Sequence, residues 1–508
     1  MLLKRYYGYP SFRGSQREII NNILSGRDVL AVMPTGAGKS VCYQIPALSF
    51  EGITLVISPL ISLMQDQVRS LVGMGVRAAY LNSSLTPRQM IMAMDNARKG
   101  IYKIIYVAPE RLETDDFIDF AVHSDISLIA VDEAHCISQW GHDFRPSYTH
   151  ISDFISRLPE RPTIAAFTAT ATGRVKDDIV KQLRLSSPYR ITSGFDRENL
   201  YFGVCRPFDK DQYILDYVSS HLEQSGIIYC GTRKKVDEVT HFLQENDISA
   251  LPYHAGMKDV ERTANQEAFT YDRARVIVAT TAFGMGIDKP DVRYVIHYNM
   301  PGNIEDYYQQ AGRAGRDGEP ASCILLYHGS DVMLQRFLIE KNAENYSGSA
   351  ADKERFLENE REKLKFMTFY STSKNVCLRK RILSYFGEGF SPPCRGCSVC
   401  CGTSEDRSIS SGREIYAAAD VSSGRNDNSV IDEALLARLK KYRAYTAARA
   451  GLPAYSVLND AALRELSVSK PRKMSQLAGI KGFGEVKLRK YGKDVLDIIN
   501  EYEDEADF

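Results

Sequence analysis

Tryptophan is almost missing from these 508 residues: one, Trp140, stands against 29 tyrosines and 21 phenylalanines. No apolar run approaches the roughly 20 residues that span a bilayer. The opening Met-Leu-Leu-Lys-Arg-Tyr-Tyr lacks the apolar core of a secretory leader, so a cytoplasmic protein without a membrane partner is expected. Net charge is absent too, 64 basic residues balancing 64 acidic ones. Bulk electrostatics therefore selects no polyanion, and any nucleic-acid surface must come from local clustering. Disulfide spacing is also missing. Among ten cysteines, Cys42, Cys136, Cys205, Cys230 and Cys323 are scattered singly, as buried reduced thiols are. The others crowd between Cys377 and Cys401.

What is present suits three or four domains, each with its own core. Apolar runs at Val29–Met33, Thr54–Ser58, Ile104–Val107, Leu128–Val131 and Thr163–Phe167 alternate with helical stretches. A second series runs through Gly226–Tyr229, Arg275–Ala279, Arg293–His297 and Cys323–Leu326. Both alternations predict parallel sheets covered by helices, an α/β class in which two tandem units leave a cleft between them. The boundaries expected are 1–195 and 196–330 for these units, then 331–401 for charged helix ending in the cysteine cluster. Residues 402–428, rich in Ser, Gly, Asp and Asn, read as a flexible linker. Residues 429–508 return to helical periodicity, with Leu435, Leu436, Leu439 and Tyr442 on one face.

The run Ile126–Val131 reads as a buried strand, and Asp132-Glu133 at its tip is placed to hold Mg²⁺ and polarise a water. The loop that follows sets Trp140 among Gln139, Gly141, His142 and Asp143, beside Phe144 and Arg145. A lone tryptophan usually fills a core; these polar neighbours favour stacking on a nucleic-acid base. Upstream, Met33-Pro-Thr-Gly-Ala-Gly-Lys-Ser40 lies between strand and helix. Gly36 and Gly38 let backbone N–H groups wrap a triphosphate, Lys39 meets its β and γ oxygens, and Ser40 ligates Mg²⁺. Met33 stands where the full phosphate-loop pattern has glycine, so this loop alone says little. Joined to the acidic pair roughly 90 residues later it makes an NTPase, with Asp132 on the metal and Glu133 as base for the attacking water.

Tyr9, Phe12, Arg13 and Gln16 bring aromatics, a cation and an amide near that loop, Tyr9 to stack on an adenine and Gln16 to meet its edge. Packing of an N-terminal helix through its aromatics is the competing reading. Arg313 and Arg316, three apart and roughly on one helical face, suit arginine fingers that reach across a cleft. In the cysteine cluster, Cys377 is followed after sixteen residues by Cys394-x-x-Cys397-x-x-Cys400, a spacing that suits tetrahedral Zn²⁺. Cys401 abuts the last position and competes with Cys400 for it. Between Lys470 and Lys493 eight basic residues face one acid around Gly479-Ile-Lys-Gly-Phe-Gly484, an accessory nucleic-acid contact set against a solvated turn.

Together, Tyr9 to Gln16, the phosphate loop, Asp132-Glu-Ala-His135, Phe167-Thr-Ala-Thr-Ala171 and Gln310-x-Gly-Arg-x-Gly-Arg316 resemble the ordered motifs of a superfamily 2 helicase. Cys136 to Arg145 and Ala282-Phe-Gly-Met-Gly-Ile-Asp-Lys-Pro290 narrow the resemblance to the RecQ family of DNA helicases. It covers residues 5 to about 401, and residues 429–508 separately resemble the family's helicase-and-RNase-D C-terminal domain. The resemblance implies two RecA-like domains, a helical zinc-binding subdomain and a small all-α C-terminal domain. It implies ATP held with Mg²⁺, Thr35 among the nucleotide contacts, and movement 3′ to 5′ on single-stranded DNA. Thr168 and Thr170 would relay between ATP and DNA; Trp140, Phe144 and Arg145 would sense the strand. Ser58 to Gln67 and Asn82 to Ser84 match segments that grip its backbone. Single-stranded, tailed or branched DNA, repair proteins and a monomeric enzyme of recombination and repair are implied. The resemblance also implies a winged helix after the zinc module, as in most bacterial relatives, and 402–428 is too short and polar to be one. A DNA-stimulated ATPase that translocates with weak or no unwinding is therefore the alternative.

Overall fold

The computed structural model describes residues 2–138, 140–141, 143–283, 289–344, 349–402 and 431–506. The expected linker, apart from Gly402, and the middle of the 282–290 motif lie outside the described residues. The first sheet comprises β1 (Val29–Val32), β2 (Ile53–Ile57), β3 (Ala78–Leu81), β4 (Ile104–Val107), β5 (Ile126–Val131), β6 (Thr163–Thr168) and β7 (Tyr189–Thr192). Its order is β3-β4-β2-β5-β6-β1-β7, and every pairing is parallel. The central strands are apolar on both faces, as a sheet covered by helices on both sides requires. Leu30 and Val32 join one cluster while Val29 and Ala31 join another, the two-residue period of a strand.

The second sheet comprises β8 (Leu200–Cys205), β9 (Ser225–Tyr229), β10 (Ala250–Tyr253), β11 (Val276–Ala279), β12 (Val292–His297) and β13 (Ala321–Leu326). Its order, again parallel, is β10-β11-β9-β12-β13-β8. Four strands were not expected from apolar runs: β3, β7, β8 and β10. All four are sheet edges. Open edges mix polar and apolar residues, as the alternation of half-buried and exposed positions along Tyr189–Thr192 shows, so the apolar-run signal weakens there; β8, by contrast, is buried along nearly all its length.

The β8 edge is covered by the cysteine-rich subdomain. Phe202 N–H donates to the Gly396 carbonyl at 3.0 Å, and Ser398 N–H donates to the Phe202 carbonyl at 2.9 Å. Added rungs of this kind remove an edge that would otherwise pair with another chain. The helices Gly329–Glu344, Ala350–Thr372 and Leu378–Tyr385 complete the subdomain.

The C-terminal bundle packs the helices Glu433–Ala450, Asp460–Ser469 and Glu485–Ala506 around Leu435, Leu439, Leu463, Leu466 and Ile499. Asp432 and Asn459 cap the first two, accepting from the N–H groups of Leu435 and Ala462, as short polar side chains do at helix starts. The bundle touches both α/β domains. Arg293 of the second lies 4.0 Å from Asp460, and Arg464 lies 3.3 Å from Glu319. At the first, Gly8 meets the 479–484 turn so closely that a Cβ on it would stand 2.6 Å from the Gly484 nitrogen. No helix among the described residues is long and apolar enough to cross a membrane.

Candidate active site

Parallel sheets present their chemistry beyond the carboxyl ends of their strands. There β1 runs into the phosphate loop, β5 into Asp132 and β6 into Thr168. Gly38, at φ +78, caps the helix Lys39–Ser49, and Gly36 sits at φ +85. Both are left-handed conformations that glycine tolerates and that turn successive N–H groups inward. Gln16, buried, steadies this loop: its Nε2 donates to the carbonyls of Ala37 at 3.0 Å and Gly38 at 3.3 Å. Arg13 lies 5.1 Å above the ring of Tyr9. Gln16 thus lies against the loop, its amide shaping the loop itself, while Tyr9 and Phe12 pack against a small apolar cluster of Leu3, Ile20 and Ile45, as the competing reading of these aromatics expects.

Asp132 is 7% exposed. Burial and the neighbouring Glu133 push its carboxyl up to about 6, against the pull of Lys39. Glu133 adopts φ +46, a left-handed conformation that costs a non-glycine residue free energy and often marks a working site. It approaches His135 Nδ1 at 3.3 Å. That same nitrogen lies 2.8 Å from Thr168 Oγ1, and Thr168 Oγ1 donates to the Thr170 carbonyl at 3.1 Å. The structure therefore strings Glu133, His135, Thr168 and Thr170 into one chain of contacts between β5 and β6.

Arg313 and Arg316 do not share a helical face. The helix ends at Ala311 with Gly312 as its cap, and the arginines lie in the turns beyond, where Gly315 takes φ +55. This turn rests on the phosphate loop: a Cβ on Gly312 would lie 3.4 Å from Thr35 Cβ. Arg313 is 4% exposed, with a buried Nε that has no partner. Desolvation lowers its pKa, opposed by Tyr229 and by Glu133, so the guanidinium feels the charge of Glu133.

The residue that joins the two sides was not singled out from the sequence. Arg197 donates from Nη1 to the Thr35 carbonyl at 2.6 Å and the Gly312 carbonyl at 3.3 Å. From Nη2 it donates to Ala314 at 3.1 Å and Gly315 at 2.7 Å. Burial lowers its pKa, and every acceptor is a neutral carbonyl, apart from the Asn199 amide oxygen at 3.3 Å. Arg379 holds this segment in turn, donating to the carboxylate of Asp196, the Arg197 carbonyl at 2.8 Å and the Leu200 carbonyl at 2.5 Å. The only sequence signal for Arg197 is a charged stretch, Asp196-Arg-Glu-Asn199, directly after an aromatic.

The 136–145 loop closes on itself through Arg145 N–H to the Cys136 carbonyl at 2.8 Å. Arg145 also donates to the Pro59 carbonyl at 3.0 Å, tying the loop to the Ser58–Gln67 segment. There Gln65 donates to Ser84 at 3.1 Å, so the two segments expected on a strand's backbone meet. Phe144 is exposed, and Trp140 lies half-buried beneath Arg174, 3.1 Å from ring centroid to guanidinium carbon. Gln139 and His142 lie outside the described residues. In the cysteine cluster the sulfurs of Cys377, Cys394, Cys397 and Cys400 lie within 4.8 Å of one another. Cys401 is not in the group, so the geometry favours Cys400 as the fourth donor.

Four family profiles match the chain: DEAD/DEAH box helicase over 13–179, helicase conserved C-terminal domain over 209–318, RecQ zinc-binding over 329–401 and HRDC domain over 432–499. The chain is 37% identical to the ATP-dependent DNA helicase RecQ of Bacillus subtilis, covering 99% of this chain and 98% of that one. Their alignment runs over 589 positions, longer than the 508 residues here, so that relative holds residues without counterpart in this chain. The RecQ helicase of Pasteurella multocida is 43% identical over 78% of this chain, which spans 61% of that relative's length. Among solved structures, Mycobacterium smegmatis helicase Lhr bound to single-stranded DNA and AMP-PNP superposes with TM-score 0.53 at 17% identity, over 72% of this chain and 57% of that one. Mss116p bound to single-stranded RNA and AMP-PNP does so with TM-score 0.55 at 19% identity, over 72% and 81%. At these identities the likeness is one of fold: two RecA-like domains.

Proposed function

Because the chain belongs to the RecQ family of ATP-dependent DNA helicases, we propose that it hydrolyses Mg-ATP to travel 3′ to 5′ along single-stranded DNA. On tailed or branched substrates in recombination and repair it would part the duplex ahead, working as a cytoplasmic monomer beside other repair proteins. The observation that carries this reading is the run of contacts from Glu133 through His135 to Thr168 and Thr170. It leads from the water-activating end of the ATP site toward the helix Gly173–Gln182, whose Arg174 covers Trp140.

Thr35, Gly36, Gly38, Lys39 and Ser40 would cradle the triphosphate, with Tyr9, Arg13 and Gln16 bordering the adenine. Ser40 and Asp132 would hold Mg²⁺, an oxygen donor set that suits a hard cation, beside a buried acidic pair whose repulsion a cation relieves. Bound there, the ion offsets phosphate charge. Glu133 would take the proton of the attacking water, and Arg313 and Arg316 would stabilise charge on the transferring phosphoryl group. Cys377, Cys394, Cys397 and Cys400 would hold Zn²⁺ as a closed structural site. Trp140, Phe144 and Arg145 would sense the strand.

Strand displacement on duplexes carrying a 3′ or a 5′ tail tests the reading. Displacement of the 3′-tailed duplex alone is expected. Single strands that stimulate ATP hydrolysis while neither duplex opens would overturn the unwinding claim and leave a translocase.

A further inference from the structure

Where the three units of the core meet, a cavity of about 550 Å³ opens. Trp140 borders it from the first domain, Glu305 from the second, and Phe369, Arg381 and Tyr385 from the cysteine-rich subdomain. It shares no wall with the phosphate loop, the acidic pair or the finger arginines.

Two buried polar atoms of opposite character belong to its walls. Glu305 is 7% exposed; its Oε1 accepts from the Tyr385 hydroxyl at 2.5 Å, and its Oε2 has no donor. The guanidinium carbon of Arg381 lies 3.5 Å from the ring centroid of Phe369, and its Nε is buried without an acceptor. An orphaned acceptor and an orphaned donor both cost stability until a partner arrives. Phe369 is 58% exposed despite its size, leaving aromatic surface available for stacking. Four basic side chains line the cavity against two acidic ones.

An aliphatic ligand would leave both orphans unmet, and a bare phosphate would meet Arg381 but be repelled by Glu305. A nucleobase attached to its phosphate answers every feature: a planar face, an N–H for the carboxylate, an acceptor for the guanidinium and a negative charge. We propose that this cavity takes one nucleotide of the bound single strand, its base turned out of the strand and stacked on the face of Phe369 that Arg381 leaves open, with Glu305 taking an N–H of its edge and Arg381 meeting its phosphate. Every base carries both an N–H and an acceptor, so the pocket needs no particular sequence. The proposal rests on the DNA-helicase reading and adds to it a base site outside the groove between the RecA-like domains.

The test walks a single abasic site along a 20-nucleotide strand and measures binding by the full-length protein, its Phe369→Ala variant and its Phe369→Tyr variant. Phe369 is exposed enough for its truncation to leave the fold intact. One abasic position is expected to weaken wild-type and Phe369→Tyr binding about tenfold and to leave Phe369→Ala indifferent, since the partner of that base is already gone. Equal losses at every position in all three proteins would overturn the proposal. A second arm titrates dAMP, read by the fluorescence of Trp140, the chain's single tryptophan. A Phe369-dependent dAMP response without a Phe369-dependent abasic position would assign the cavity to a free nucleotide and overturn the strand assignment. Wild-type protein that binds no single strand would bring down the helicase reading with it. DNA-dependent ATP hydrolysis without the abasic effect would bring down the pocket alone.

Discussion

Arg197 Nη1 donates to the Thr35 carbonyl across 2.6 Å, so a side chain from the start of the second domain is fastened to the phosphate loop of the first. Its other donors hold the turn that carries Arg313 and Arg316. Lysine keeps the charge but cannot hold the loop carbonyl and the turn carbonyls together. Arg197→Lys is expected to lower DNA-stimulated turnover about 10²-fold, the scale set by loss of positioned electrostatic groups. Affinity for a fluorescent ATP analogue should change by less than about threefold, since the staple acts on the transition-state geometry rather than on ground-state binding. Steady-state ATPase assays beside equilibrium titration separate the two.

Lys39→Ala removes the one ammonium expected on the β and γ oxygens, and turnover should fall by at least about 10³-fold. ATPase activity above a tenth of wild type would contradict the assignment of this loop.

Trp140→Ala should spare nucleotide binding and basal hydrolysis while losing most of the stimulation by single strands. ATPase rates with and without oligonucleotide measure this. Stimulation that survives intact would move strand sensing to Phe144, Arg145 or elsewhere.

Zinc content near one atom per chain is expected, lost in Cys397→Ser. Its consequence should reach the ATP site. Cys397 lies between the two rungs on β8, and Arg379, which follows Cys377, holds the carbonyl of Arg197. Chelation should therefore lower both the unfolding midpoint and the turnover of the remaining folded protein. Metal analysis, thermal melts and ATPase on the same samples decide.

His297 is fully buried, with Nε2 2.9 Å from Gln310 Oε1, and burial pushes its pKa from 6.5 down to about 3. A folded-state value below the unfolded one means the neutral ring favours folding. That contribution is whole above pH 6.5 and shrinks as pH falls toward 3. At pH 5 the loss amounts to about 2 kcal/mol. Urea unfolding at pH 7 and pH 5 should show a smaller difference in His297→Gln than in wild type.

The legible parts of this protein were those whose chemistry is local. The phosphate loop and Asp132-Glu133, read together, and the Cys394–Cys400 run each need their residues within one turn or one strand tip, so the local sequence records them. Central strands such as Ile104–Val107 were legible because both faces are covered. Arg197 was not, because its acceptors lie as far as 162 residues back at Thr35 and 118 residues on at Gly315, and nothing in its neighbourhood records them. The turn after Ala311 was misread as helix because a three-residue spacing fits both. Arg379 shows the same limit: nothing in its run of three basic residues records that it is buried between Asp196 and Leu200.

The C-terminal bundle meets the two RecA-like domains through contacts of different kinds. Against the second domain it offers Asp460 to Arg293 and Arg464 to Glu319, pairs that ions in solution weaken. Against the first it offers the Gly8–Gly484 backbone approach, which salt does not touch. Added salt therefore acts as a selective solvent for one half of the joint. Raising it to about 1 M, where screening reaches within roughly 3 Å, would weaken the pairs to the arginine-bearing domain and leave the backbone approach to the nucleotide-bearing one unchanged. The two seats of the bundle therefore answer to ionic strength unequally.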